Sequence, residues 1–319
     1  MKVVALAGGV GGAKLADGLA RCLAPHELTI IVNSGDDFEH LGLTICPDLD
    51  TVCYTLAGLA NPETGWGRAE ETWGALQTVT ELGGPAWFHL GDRDIGLHLE
   101  RTRRLHLGES LSQVTQRVCQ AWGITPRVLP MSDDAVPTWV YTRDEGELPF
   151  QEYFVQRQCQ PQVTGFRFQN AALSRPAPGV LEAIDQAELV LICPSNPWVS
   201  IGPILAVPGI QPALTHQRVV AVSPIIGGQV VKGPAAKMYR ELGIQPSALA
   251  VASQYGSMLT GFVLDEQDQS LVESITALHI QPLVTNTLMK SPADRKRLAG
   301  EVLAFGEKLE KSSGYTEAI

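Results

Sequence analysis

The chain contains no run of about 18 apolar residues, the length that a membrane-crossing helix requires. Its apolar opening, MKVVALA, breaks at Gly8 before it could serve as a signal peptide, and so reads as a first strand. Among the six cysteines (Cys22, Cys46, Cys53, Cys119, Cys159, Cys193) there is no CxxC pair and no zinc-ligand spacing. Most stand in apolar surroundings and read as reduced core residues of a cytoplasmic protein. Lysine and arginine never cluster beyond the short RTRR at 101–104, and the net charge is −10, which excludes a nucleic-acid footprint. Internal repeats, low-complexity tracts and clear linkers are missing as well. Only EKSSGYTEAI (310–319) has the composition of a fraying end.

What remains is 319 residues, 45% of them hydrophobic, enough for a sizeable core. KVVALA (2–7), LTIIVN (28–33), ELVLICP (188–194) and RVVAVSPI (218–225) are continuous apolar runs that end in polar turns. Strands buried on both faces have this form, and helical patterns at 13–24, 233–242 and 292–310 alternate with them. The expectation is an α/β protein with a Rossmann-like, doubly wound, mainly parallel sheet and ligands beyond the carboxyl ends of its strands. Residues of about 60–170 differ, with helix formers to about 125 and strand-like alternation over 138–170. They are expected to form a mostly helical insertion within a single domain spanning 1–319.

GGVGGAK (8–14) follows the first strand and opens a helix, where backbone amides and the helix dipole favour an anion. It fails as a dinucleotide fingerprint, because Lys14 takes the third glycine position and Asn33 stands where a ribose-binding acid belongs. It fails as a Walker A loop because Leu15 follows the lysine. A tight strand–helix turn without a ligand is the plainer reading. NSGDDFEHLGLTICPDLDT (33–51) then places Asp36, Asp37, Asp48 and Asp50 at the end of the second strand with no lysine or arginine among them. Phosphates and carboxylates brought to one crevice need a hard cation between them, and Mg²⁺ suits that position. Aspartate pairs also hold hydroxyls or take a proton from an attacking alcohol. The structural alternatives are a helix cap at Asp48 and an Asx turn at Asp36.

Over nearly its whole length the sequence resembles the 2-phospho-L-lactate transferases (CofD, with its actinobacterial form FbiA) of coenzyme F420 biosynthesis. The resemblance is carried by LAGGVGGAK (6–14), NSGDD (33–37), HLGLTICPDLDT (40–51), GWGRAEETW (65–73), LGDRDIGLHL (90–99), SLSQVT (110–115), CPSNPWVSIGPIL (193–205) and SPIIGGQVVKGPA (223–235). It implies transfer of a 2-phospho-L-lactate or enolpyruvyl-phosphate group from its guanosine-diphosphate-activated form to the terminal ribityl hydroxyl of FO, a deazaflavin. GMP leaves, Mg²⁺ assists, and the enzyme is a cytoplasmic homodimer.

Carried over by position, the resemblance implies FO contacts at Asp50 and Arg93 and catalytic roles for Asp50 and Asp36. It implies nucleotide contacts at Gly9, Gly11, Gly12, Ser195, Asn196 and Gly228. Asp37 and Asp48 are the expected metal ligands, with Asp36 as the alternative. Each position also has a plainer reading. Arg93 could pair with Asp92 or Asp94, SNP (195–197) could simply end a strand, and Trp66 and Trp73 could be core rather than stacked on the deazaflavin. His40 could touch substrate or serve packing, and Lys232 could meet a phosphate. A YvcK-like nucleotide-sugar-binding regulator is the nearest rival, but such proteins carry a Gly/Ser-rich run where FEHLGLTICPDLDT stands here. A dehydrogenase is further off.

Overall fold

In the computed structural model, which describes residues 1–309, the apolar runs become strands of one sheet. The segment 310–319 lies outside the described residues. β1 (Val3–Ala7) and β2 (Leu28–Val32) flank helix α1 (Gly9–Ala20). A hairpin of β3 (Phe38–His40) and β4 (Leu43–Ile45) leads into α2 (Pro47–Leu56). Then come α3 (Gly74–Glu81), α4 (Asp92–His106) and α5 (Leu111–Ala121).

β5 (Arg127–Pro130) returns to the main sheet beside β2, so a strand of the core divides the insertion expected over about 60–170. Four residues are too few for periodicity to mark a strand among helices. β6 (Thr138–Thr142), β7 (Gly146–Pro149) and β8 (Val163–Phe168) form a separate antiparallel sheet, as the alternation over 138–170 suggested. β9 (Leu189–Ile192) and β10 (Val219–Val222) rejoin the main sheet. A small hairpin, β11 (Ile225–Ile226) and β12 (Gln229–Val230), turns at Gly227 and Gly228. β13 (Gly261–Asp265), β14 (Gln281–Thr285) and a helix at Pro292–Lys308 complete the described chain.

The main sheet runs β14-β13-β10-β9-β1-β2-β5 with every neighbouring pair parallel. The chain starts at β1, builds outward through β2 and β5, then returns to β9 and builds the other way. The order therefore reverses between β1 and β9, which places a crevice at their carboxyl ends. Alternate residues of β1 feed the two faces, Val4 and Leu6 to one core and Val3, Ala5 and Ala7 to the other. α1, α2 and the helix Pro292–Lys308 cover the second face. Among the described residues no helix is long and apolar enough to cross a membrane.

Candidate active site

The glycine turn and the turn after β9 meet at the reversal point. α1 already begins at Gly9, so Gly8 is its extended cap and the rest of GGVGGAK lies in its first two turns. The Gly8 amide donates to Ser195 Oγ (3.1 Å), and that hydroxyl donates back to the Gly8 carbonyl (2.8 Å). A Cβ on Gly11 would lie 2.2 Å from the Pro194 carbonyl oxygen, so Gly11 is bare because backbone passes against backbone. We expect Gly11→Ala to cost about 1–3 kcal/mol and several degrees of melting temperature. An unchanged thermal melt would contradict the contact. Asn196 caps the following turn by accepting from the Trp198 amide (2.9 Å), the strand-ending role that SNP allowed. Gly228 sits in the β11–β12 hairpin, whose Gly227 amide is held by Asp268.

Asn33, at the end of β2, organises the acidic stretch. Its Oδ1 accepts from the Gly35 amide (2.8 Å), so the Asx turn belongs to Asn33 rather than Asp36. Its Nδ2 is shared among Asp48 Oδ2 (2.9 Å), Asp36 Oδ1 (3.1 Å) and the Val199 carbonyl (3.2 Å). Asp48 Oδ1 accepts from the Gly9 amide (2.7 Å), tying α2 to the glycine turn, and no side chain caps α2. Burial pushes the Asp48 carboxyl up to about 6 against these hydrogen bonds. Burial, and then the Asp48 charge, raises Asp36 well above the usual carboxylate range. Asp37 is raised by burial too, and its Oδ1 is buried with no hydrogen-bond partner.

Asp50 has a partner that the sequence reading overlooked. Arg101 Nη1 donates to Asp50 Oδ2 (3.1 Å) while Nη2 holds Oδ1 in closer contact. Asp94, His98 and Arg101 recur at helical spacing and form the buried polar face of α4. That spacing was legible, but RTRR counted only as a basic cluster too short for a nucleic-acid footprint. Arg93, by contrast, is exposed, and its ion pair is with Glu70 (3.4 Å) rather than Asp92 or Asp94. The two flanking acids are occupied: Asp92 accepts from the Gly74 and Ala75 amides, and Asp94 accepts from the Tyr54 hydroxyl. Glu71 in turn accepts from the Arg93 and Asp94 amides, so the GWGRAEETW and LGDRD blocks cap one another.

Asp94 gives a pH test away from the pocket. Burial is the main cause that lifts its carboxyl to about 6, above the ordinary value of 3.8. Between those values the folded state binds more protons than the unfolded state, so this group's contribution to stability falls as pH rises. Asp94→Asn can still accept from Tyr54. Its melting temperature relative to the parent should therefore climb from pH 4.5 to 7, and a flat difference would contradict the burial of an ionised Asp94.

Other candidates fall into place around the crevice. His40 is buried against Phe38, Trp87 and Phe88, with its Nε2 unpartnered and burial lowering its pKa. Trp66 and Trp73 are half exposed (50% and 47%), not core, because both lie outside helices in the segment joining α2 to α3. Lys14 Nζ donates to the Met289 carbonyl (3.0 Å), and Lys232 Nζ to the Thr64 carbonyl. Lys232 thereby brings the GWG turn over the glycine turn, where a Cβ on Gly65 would lie 3.0 Å from Val10.

The site thus brings the glycine turn together with three buried carboxyls whose charge is unfavourable as they stand, and a fourth fixed by arginine. Among the described residues no three or more His, Cys, Asp or Glu side chains could hold a metal by themselves. The unpartnered Asp37 oxygen beside Asp48 is nevertheless a hard-oxygen donor set that suits one Mg²⁺ sharing its shell with ligand phosphates.

Residues 3–296 match the family model described as 2-phospho-L-lactate transferase CofD. A Kitasatospora aureofaciens protein named phosphoenolpyruvate transferase is 44% identical over 98% of this chain and 100% of its own. A protein of the same name from Thermobifida fusca (strain YX) is 43% identical with the same coverage. Among solved structures, a upf0052 family protein from Bacillus halodurans has a TM-score of 0.61 at 14% identity, covering 95% of this chain and 98% of that one, a likeness of fold. On the match across nearly its whole length, the chain belongs to the CofD family of 2-phospho-L-lactate transferases.

Proposed function

We propose that the protein moves an enolpyruvyl-phosphate group from its guanosine-diphosphate-activated form to the terminal ribityl hydroxyl of FO, in coenzyme F420 biosynthesis. The acceptor oxygen bonds to the phosphorus that bears the acid, the bond from that phosphorus to the GMP phosphate oxygen breaks, and GMP leaves. The observation that carries this reading is the joining of the glycine turn to the acidic pocket through Asp48 and the Gly9 amide at the sheet's reversal point. Relatives named phosphoenolpyruvate transferases at 43–44% identity favour the enolpyruvyl donor over the phospholactyl one.

Phosphoryl transfer asks a protein mainly for positioning and charge neutralisation. The donor's phosphates rest at the helix start of Gly9, Gly11 and Gly12, with Ser195, Asn196 and Gly228 on the nucleotide side. Asp37 and Asp48 would hold Mg²⁺, which neutralises the diphosphate and so favours GMP as leaving group. Asp50, with both oxygens engaged by Arg101, is a well-aimed anchor for the acceptor hydroxyl. Asp36, whose pKa burial has raised, is the better base for the hydroxyl proton. Arg93, exposed at the start of α4, is left to meet the outer part of FO. Assay of GMP release with FO and each of the enolpyruvyl, phospholactyl and phosphoglyceryl donors tests this. The enolpyruvyl donor should have the highest kcat/KM, and preference for another donor would overturn the donor assignment.

A further inference from the structure

We propose that Arg101 is a positioning residue for the transfer: its two-pronged grip on Asp50 sets the direction of the carboxylate that anchors the acceptor hydroxyl. The inference rests on the acceptor role proposed for Asp50.

Arg101 is 4% exposed, and it comes from α4, whereas Asp50 belongs to α2. Besides the two contacts to Asp50, Nη1 donates to the Thr44 carbonyl (3.3 Å) and lies 3.1 Å from His98 Nδ1. Burial keeps His98 neutral, pushed down to about 4, and because a guanidinium only donates, Nδ1 accepts in the tautomer that carries its proton on Nε2. The neighbouring Thr102 hydroxyl accepts from the Thr44 amide (2.8 Å), so α4 engages both backbone groups of Thr44. Thr44 lies in β4, which runs through Cys46 directly into α2. The grip therefore fixes the approach to α2 and, one turn on, the plane of the Asp50 carboxylate.

A buried arginine could simply neutralise a buried aspartate. The planar fork does more, because it holds both oxygens at once, whereas lysine supplies charge through a single nitrogen. Arg101→Lys therefore separates charge from direction.

Steady-state kinetics on Arg101→Lys, Asp50→Asn and the double variant test the proposal. Misdirecting a catalytic group by about 1 Å costs roughly 10²-fold. Arg101→Lys should accordingly lose about that much in kcat and raise the KM for FO. Its donor KM should stay within about twofold of the parent, because the donor rests on the glycine turn. In the Asp50→Asn background the same change should cost less than about threefold, since residues acting as a unit are not additive.

Parental kcat in Arg101→Lys, or an equal loss in both backgrounds, would overturn the proposal while Asp50→Asn stays slow. Parental kcat in Asp50→Asn would instead remove the acceptor role and overturn both readings. If Arg101→Lys loses its cooperative melt, the neutral pair Arg101→Gln/Asp50→Asn replaces it. That pair should match Asp50→Asn alone, and a further tenfold loss would overturn the proposal.

Discussion

Excess EDTA is expected to lower turnover by roughly 10³-fold or more, and added Mg²⁺ to restore it. The reasoning begins with charge. The donor carries a diphosphate, the protein has a net charge of −10, and Asp36, Asp37 and Asp48 meet beside the glycine turn. Asn33 supplies one amide to two of these carboxylates, and one oxygen of Asp37 has no donor at all. A hard cation relieves both deficits at once. Mg²⁺ takes only one or two protein carboxylates and completes its shell with water and phosphate oxygens. Metal affinity should therefore be weak in the free protein and rise when the nucleotide binds. Asp37→Ala and Asp48→Ala should each raise the Mg²⁺ concentration needed for half-maximal rate. Full activity in excess chelator would remove the metal bridge from the account.

Asp36→Asn is the second large effect. The variant keeps the shape of the side chain and its hydrogen bond from Asn33, but it cannot accept the acceptor's proton. Loss of a general base typically costs 10²–10⁴-fold, and kcat should fall within that range with the donor KM nearly unchanged. The same substitution removes a carboxyl whose ionisation is opposed by burial and by Asp48, so the free protein should melt higher than the parent at pH 7.5. A slower and more stable variant is the signature of a carboxylate kept for chemistry. Unchanged kcat would make Asp36 a lining residue only.

The fold was largely legible because its strands are buried on both faces. KVVALA, LTIIVN, ELVLICP and RVVAVSPI need no tertiary information to read as parallel strands, and each lies in the sheet. β5 was not legible, since RVLP is short and its pairing with β2 is decided across almost a hundred residues. In the site, the sequence pointed to the right segments and misjudged some of the physics. Gly11 and Gly12 read as an opening for an anion, and nothing in the sequence signalled that the Pro194 carbonyl packs against Gly11. Asn33 counted only as a missing ribose acid, although its amide joins Asp36 to Asp48. Arg101 was hidden inside RTRR, where charge pattern suggests solvent and only the helical spacing with Asp94 and His98 suggests burial. Such errors share a cause: a polar side chain's role depends on the partner it meets, and those partners lie on other elements.

The central claim is that this pocket joins FO to the acid-bearing phosphorus of the activated donor. Its most direct test is the stoichiometry of one reaction containing the protein, Mg²⁺, FO and the enolpyruvyl donor, followed by chromatography and mass spectrometry. The account predicts one GMP released for each FO consumed, a product in which FO carries the enolpyruvyl phosphodiester, and no GMP when FO is left out. GMP released at the same rate without FO, or FO left unchanged while the donor is spent, would contradict it.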